Sequence, residues 1–129
     1  MIARIQLSAG AVFLACHLLL TGCGSPAVPV SDVEAARKLL GSSLDAWKSG
    51  SSVAQMRQQT PPVYVADELW SQGRRLNDYT IDSNGELHGS NVRLLATLDV
   101  TGKGGKTQNS PVTYLVTTTP ALTIARDDR

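Results

Sequence analysis

Residues 92 to 100 read VRLLATLDV, and their alternation restricts the folds open to this chain more than any other stretch. Val92, Leu94, Ala96, Leu98 and Val100 share one face of an extended strand; Arg93, Leu95, Thr97 and Asp99 share the other. Successive side chains of a strand point to opposite faces, so the spacing predicts a sheet with one buried face and one wet face. Slipping the register by one residue would turn the whole apolar set into water, which specifies the pairing strongly. PVTYLVTTT (111 to 119) repeats the pattern, with Val112, Tyr114, Val116 and Thr118 together. TGKGGK (101 to 106) between the two runs predicts a flexible hairpin tip. Ahead of them, RRLNDYTID (74 to 82) predicts a strand that ends at Ser83-Asn84-Gly85, and Asn-Gly is a strong two-residue hairpin signal. Pro120 stops the later run, and ALTIAR (121 to 126) predicts a last short strand with Leu122 and Ile124 inward.

A sheet with one apolar face needs a cover. Val33, Ala36, Leu40, Leu44 and Trp47 recur at spacings of three and four, and Leu39 widens the stripe. That period predicts an amphipathic helix over about 32 to 49. Ser31-Asp32-Val33-Glu34 fits a capping box, with the Ser31 hydroxyl and the Glu34 carboxylate as reciprocal acceptors. Lys48 suits the last turn, and Gly50 suits the C-terminal cap. Gly41 costs about 1 kcal/mol against Ala inside a helix and would allow a close approach to a neighbour. SSVAQMRQQTPP predicts a short helix over about 52 to 59, stopped by the double proline. VYVAD (63 to 67) alternates as a strand would. ELWSQG (68 to 73) reads either as a helical turn closing at Gly73 or as a continuation of that strand. Helices first and a strand meander after them predict an α+β fold: one or two N-terminal helices on a curved antiparallel sheet of about four to five strands.

The first 23 residues have a different character. Arg4 stands alone in a short charged start, and LSAGAVFLACHLLL (7 to 20) is an apolar run too short for an ordinary membrane span and interrupted by His17. It ends in Leu20-Thr21-Gly22-Cys23, which resembles the bacterial lipobox. The resemblance implies a signal peptide over 1–22, cleavage before Cys23, a diacylglycerol on the Cys23 sulfur and an acyl chain such as palmitate on its amino group. It implies lipid attachment to a membrane on the non-cytoplasmic side of the cell envelope. Gly24, rather than Asp, follows the cysteine, which in Gram-negative lipoproteins favours the outer membrane. GSPAVPV (24 to 30) then reads as an extended tether spanning at most about 25 Å. The expected organisation is a signal peptide (1–22), a lipidated Cys and tether (23–30) and one α+β domain (31–129).

Charge and chemistry narrow the remaining classes. Of twelve Lys and Arg, only Arg4 precedes Cys23, so the processed chain would carry eleven basic and eleven acidic residues. That balance argues against nucleic acid as a partner, which calls for a basic face. Cys16 leaves with the signal and Cys23 becomes a thioether, so no disulfide is available and the hydrophobic core must hold the domain. His88 is then the single histidine, beside Gly89 and Ser90, where a solvated turn residue is the simpler reading. No H-x-H, H-x-x-E or C-x-x-C spacing suggests a metal, no cofactor motif is present, and GKGGK lacks the P-loop spacing. Asp67, Asp82 and Asp99 could each oppose Tyr64, Tyr79 or Tyr114 in an isomerase-like site, although each also reads as an outer-face or strand-end carboxylate. Trp47 completes the helix stripe and reads as core; Trp70 reads as packing or as the mouth of a cleft. Leu95, Thr113 and Thr117 make the outer sheet face only partly polar, which suits a homodimer or another envelope protein.

AARKLLGSSLDAWKSG (35 to 50) and the strand run from Arg74 to Arg126 are similar in order to the NTF2-like or cystatin-like architecture. That resemblance implies helices lying in the concave side of a curved sheet, often with pairing through the outer face. Enzymes of the superfamily use an Asp or His base, often opposed by a Tyr. No Asp–His constellation can be matched here, so no catalytic residue is assigned, and no ligand-binding residue is assigned either. The expectation is a membrane-anchored lipoprotein with a small non-catalytic binding or envelope-structural domain; the alternative is an NTF2-like ligand binder or enzyme tethered to the membrane. A cavity filled by Leu40, Leu44, Trp47, Leu94 and Leu98 would favour the first. An open cavity holding an Asp that faces a Tyr would favour the second.

Overall fold

A computed structural model describes residues 29–82 and 84–128. The expected signal peptide, the lipobox-like Leu20–Cys23, most of the expected tether, and Ser83 ahead of Asn84-Gly85 lie outside the described residues.

The apolar stripe forms α1 (Val33–Lys48) and buries Ala36, Leu40, Leu44 and Trp47. Its cap differs from the expected box. Asp32 is the N-cap, and its Oδ2 accepts from the Ala35 amide at 2.8 Å. Ser31 is buried one residue earlier and ties the helix to the sheet instead. Its amide donates to the Ser90 carbonyl at 3.0 Å, and its hydroxyl accepts from the Thr118 amide at 2.9 Å. Both Ser and Asp cap well; the pull on Ser31 from the turn at Ser90 and from Thr118 decides between them. At the other end Ser49 is the cap and Gly50 takes the left-handed φ of 97° that stops the helix. Gly41, by contrast, is not forced: an added Cβ would meet Ile81 at an ordinary 3.8 Å.

The short α2 (Val53–Arg57) carries a full capping box between Ser52 and Gln55. After β1 (Val63–Ala66), ELWSQG resolves as helix: α3 (Glu68–Ser71) is capped by Asp67. The remaining strands are β2 (Arg75–Ile81), β3 (Glu86–His88), β4 (Asn91–Thr101), β5 (Thr107–Thr117) and β6 (Leu122–Asp127). Among the described residues, no helix is long and apolar enough to cross a membrane.

The strands form one curled sheet in the order β1-β6-β5-β4-β2, with β3 also on β4, and the helices cover its concave side as in a half-barrel. The α+β expectation holds, with one correction: the sheet is mixed. β1 runs parallel to β6, pairing Val63 with Leu122 and Ala66 with Ala125. A parallel neighbour needs a long crossover rather than a turn. Here α3 and the strands β2 to β5 all lie between the two strands, a relation that local alternation in VYVA does not encode.

The hairpin turn is also displaced. β3 joins β4 through Gly89-Ser90, where Gly89 has φ of 63°, and His88 pairs with Asn91. β2 pairs further along the same edge of β4, with Asn77 bulged out of register. Asn84-Gly85 therefore links two segments lying end to end on one strand and is not a hairpin turn. Gly85 is needed for another reason: a Cβ there would sit 2.8 Å from Leu94 Cδ2 and 2.9 Å from Val33 Cγ1. The backbone passes where α1 meets the sheet and leaves no room for a side chain.

The five inward residues of VRLLATLDV are all buried, as are Val112, Tyr114, Val116 and Ile124. Leu122 is only partly buried and packs against the edge of this core.

Candidate binding cleft and the buried Asp67 pair

The concave side of the sheet is filled. Leu40, Leu44, Trp47, Leu94 and Leu98 are each at most 3 % exposed. A pocket of about 60 Å³ remains at one end, between Leu69, Leu98, Val100 and Val112, with Arg74 and Arg126 at its edge. Ligand sites run to roughly 300–1,000 Å³, so this pocket is too small for a substrate.

An Asp nevertheless faces a Tyr. The Tyr114 hydroxyl, on β5, donates to Asp67 Oδ2 at 2.6 Å, and both groups are buried. Asp67 Oδ1 accepts from the amides of Leu69 at 3.0 Å and Trp70 at 3.2 Å, the cap of α3. Arg126 Nη1 on β6 lies 3.8 Å from the same oxygen. Burial, and then the Asp67 charge, push the Tyr114 hydroxyl well above its ordinary range, so it holds its proton. Burial pulls the Arg126 guanidinium down, but Asp128 and Asp67 outweigh it and the net direction is up. Both Asp67 oxygens are therefore engaged within the protein. A general base needs reach to a substrate proton, and this carboxylate has none. It acts as a clamp joining the β1–α3 corner to β5 and β6. The outer-face reading of Asp67 is thereby corrected: a carboxylate can be buried when its lone pairs are met by amides, a hydroxyl and a nearby cation.

The other candidates are not brought together. Asp82 is exposed, and its Oδ1 accepts from the Asn84 amide. Asp99 accepts weakly from Asn77, which also donates to Thr101. Tyr64 is exposed beneath Arg57. The Tyr79 hydroxyl donates to Asp45 Oδ1 at 2.6 Å, with the Gly41 carbonyl at 3.1 Å. Burial, reinforced by Asp45, pushes that hydroxyl up to about 12. His88 is exposed at the end of β3, 3.4 Å from Arg93 Nη2. Among the described residues, no group of three His, Cys, Asp or Glu is placed to hold a metal ion.

The larger concavity lies outside the sheet, at the C-terminal end of α1. It measures about 730 Å³ and opens to solvent between the α1–α2 loop, α2 and the segment from Trp70 to Arg75. Trp47 and Trp70 stack at its base, 5.1 Å between ring centroids and 3° from parallel. Each indole N–H is met by a backbone carbonyl at 2.7 Å, Trp47 by Arg74 and Trp70 by Ser51. The two readings of Trp70, core and cleft, are both right: it is 4 % exposed and still lines the cleft. Lys48, Arg57, Arg74 and Arg75 also line it. Sequence reasoning missed these four cations as a group. The Arg74-Arg75 pair was the one visible signal, and nothing in its spacing announces Lys48 or Arg57.

Comparison of the chain with protein-family models, with curated proteins and with solved structures gives no match.

Proposed function

We propose that this chain is a lipoprotein of the cell envelope, held to a membrane by acyl chains on Cys23, with a small non-catalytic binding domain carried on a short tether. The observation that carries the reading is Leu20-Thr21-Gly22-Cys23 at the end of an apolar run that follows a lone Arg4. Two features of the domain support it. The sheet's concave side is closed by its own core, and the one buried Asp–Tyr pair is used up in structural hydrogen bonds. What stays open is the cleft over Trp47 and Trp70, which suits binding.

The lipid is tested by intact mass of the membrane-extracted protein, expected to show residues 1 to 22 missing and acyl mass on Cys23. Stable anchoring needs two or more chains, so Cys23→Ser is expected to move the protein from the membrane fraction to the soluble one. Retention of that variant in membranes would refute the anchor.

The second reading, a tethered NTF2-like binder or enzyme, is favoured by one contact, Tyr114 to Asp67. It requires the pair to open toward a ligand.

A further inference from the structure

We propose that the cleft at the C-terminal end of α1 binds a small, soluble polyanion, a molecule carrying two or more carboxylate or phosphate groups. The inference deepens the binding reading above by naming the ligand class; the anion site itself does not depend on lipid at Cys23, whereas the choice of a soluble ligand over a headgroup rests on that anchor.

The charge distribution argues for it. The processed chain balances eleven cations against eleven acids, yet four of those cations and no Asp or Glu line this one concavity. A cleft lined by one sign of charge over apolar walls concentrates the field and draws counter-charged molecules. Two of the four cations have partners: Lys48 lies 3.4 Å from Asp78, and Arg57 sits over the Tyr64 ring at 5.7 Å. Both contacts are at the surface, where such pairs hold weakly and yield to a better partner. Among the described residues, the Arg74 and Arg75 side chains have no ion pair. Guanidinium forks match carboxylate and phosphate oxygens in pairs, and three arginines around one opening suit a ligand with more than one anionic group. The stacked indoles, locked by their N–H bonds, supply a rigid base.

Position argues for a soluble ligand over a lipid headgroup. The tether enters α1 at Ser31, and the cleft lies at the opposite end of a 16-residue helix, about 24 Å away at 1.5 Å per residue.

The chain's two tryptophans both line the cleft, so their emission reports on it directly. The full chain, extracted in neutral detergent, is titrated with pyrophosphate and with citrate. The expected result is a saturable emission change with at least one of them, weakening as salt is added. The double variant Arg57→Gln/Arg75→Gln removes two exposed cations without touching the core, and is expected to bind about tenfold more weakly or worse. Lys38→Gln, exposed on α1 ten residues before Lys48 and so about 15 Å from it along the helix, is expected to bind as the parent does. No saturable change with either anion, or undiminished binding by the double variant, would overturn the proposal. Displacement of bound anion by phosphatidylglycerol vesicles but not by phosphatidylcholine vesicles would assign the cleft to headgroups and overturn the soluble-ligand assignment.

Discussion

Tyr114 and Asp67 stand 47 positions apart in the chain and meet at 2.6 Å in the core. The contact looks like the start of a catalytic pair, and its surroundings make it a brace. Replacing Tyr114 by Phe keeps the ring and leaves Asp67 Oδ2 buried without its donor, which costs about 1–3 kcal/mol of stability. Urea unfolding of Tyr114→Phe is the check, with anion binding in the cleft expected unchanged. A variant as stable as the parent would mean that the clamp contributes nothing. Asp67 was legible as a candidate and so was Tyr114. Their pairing was not, because it depends on how β1 and β5 are placed across β6, and no local period carries that information.

Among the elements, α1 shows how a correct helix can have a misread end. The apolar stripe specified its length to within a residue at either end. The cap was ambiguous, since Ser31 and Asp32 both suit the position. Asp32→Ala is expected to cost about 1 kcal/mol, whereas Glu34→Ala, which a capping box would make costly, should leave thermal stability nearly unchanged. Equal losses for the two would restore the box. The turn before β3 follows the same logic. Asn84-Gly85 and Gly89-Ser90 both have turn composition; β4 has eleven residues and β2 seven, so β4 has room for a second partner on the same edge. The hairpin therefore closes at Gly89, and Gly85 serves the seam between α1 and the sheet.

At the scale of the whole molecule, two protonated tyrosines tie helices and strands together: Tyr79 holds β2 to α1, and Tyr114 holds β5 to the β1–α3 corner. Both hydroxyls lie above the ordinary value of 10.0 in the folded state, Tyr79 at about 12. Below pH 10 both are protonated whether the chain is folded or not, and their contribution is fully present. As pH rises from 10 toward 12 the unfolded chain releases protons that the folded one retains, so stability is lost across that window. Denaturant midpoints at pH 8 and pH 11 should differ in that sense, and Tyr79→Phe should reduce the difference; a pH-independent midpoint would contradict it. The sequence by itself determined the quantities that repeat along the chain: the period-two strands and the amphipathic helix, and with them the Leu20–Cys23 signature behind the proposed anchor. Periodicity is a local property that burial of one face imposes on every residue in turn. Only the tertiary structure decided what depends on long-range placement. It set β1 parallel to β6, enclosed Asp67, and gathered Lys48, Arg57, Arg74 and Arg75 around two stacked tryptophans. Such meetings are chosen by the packing of the whole domain, in which the curl of the sheet and the exit of α1 leave this concavity open.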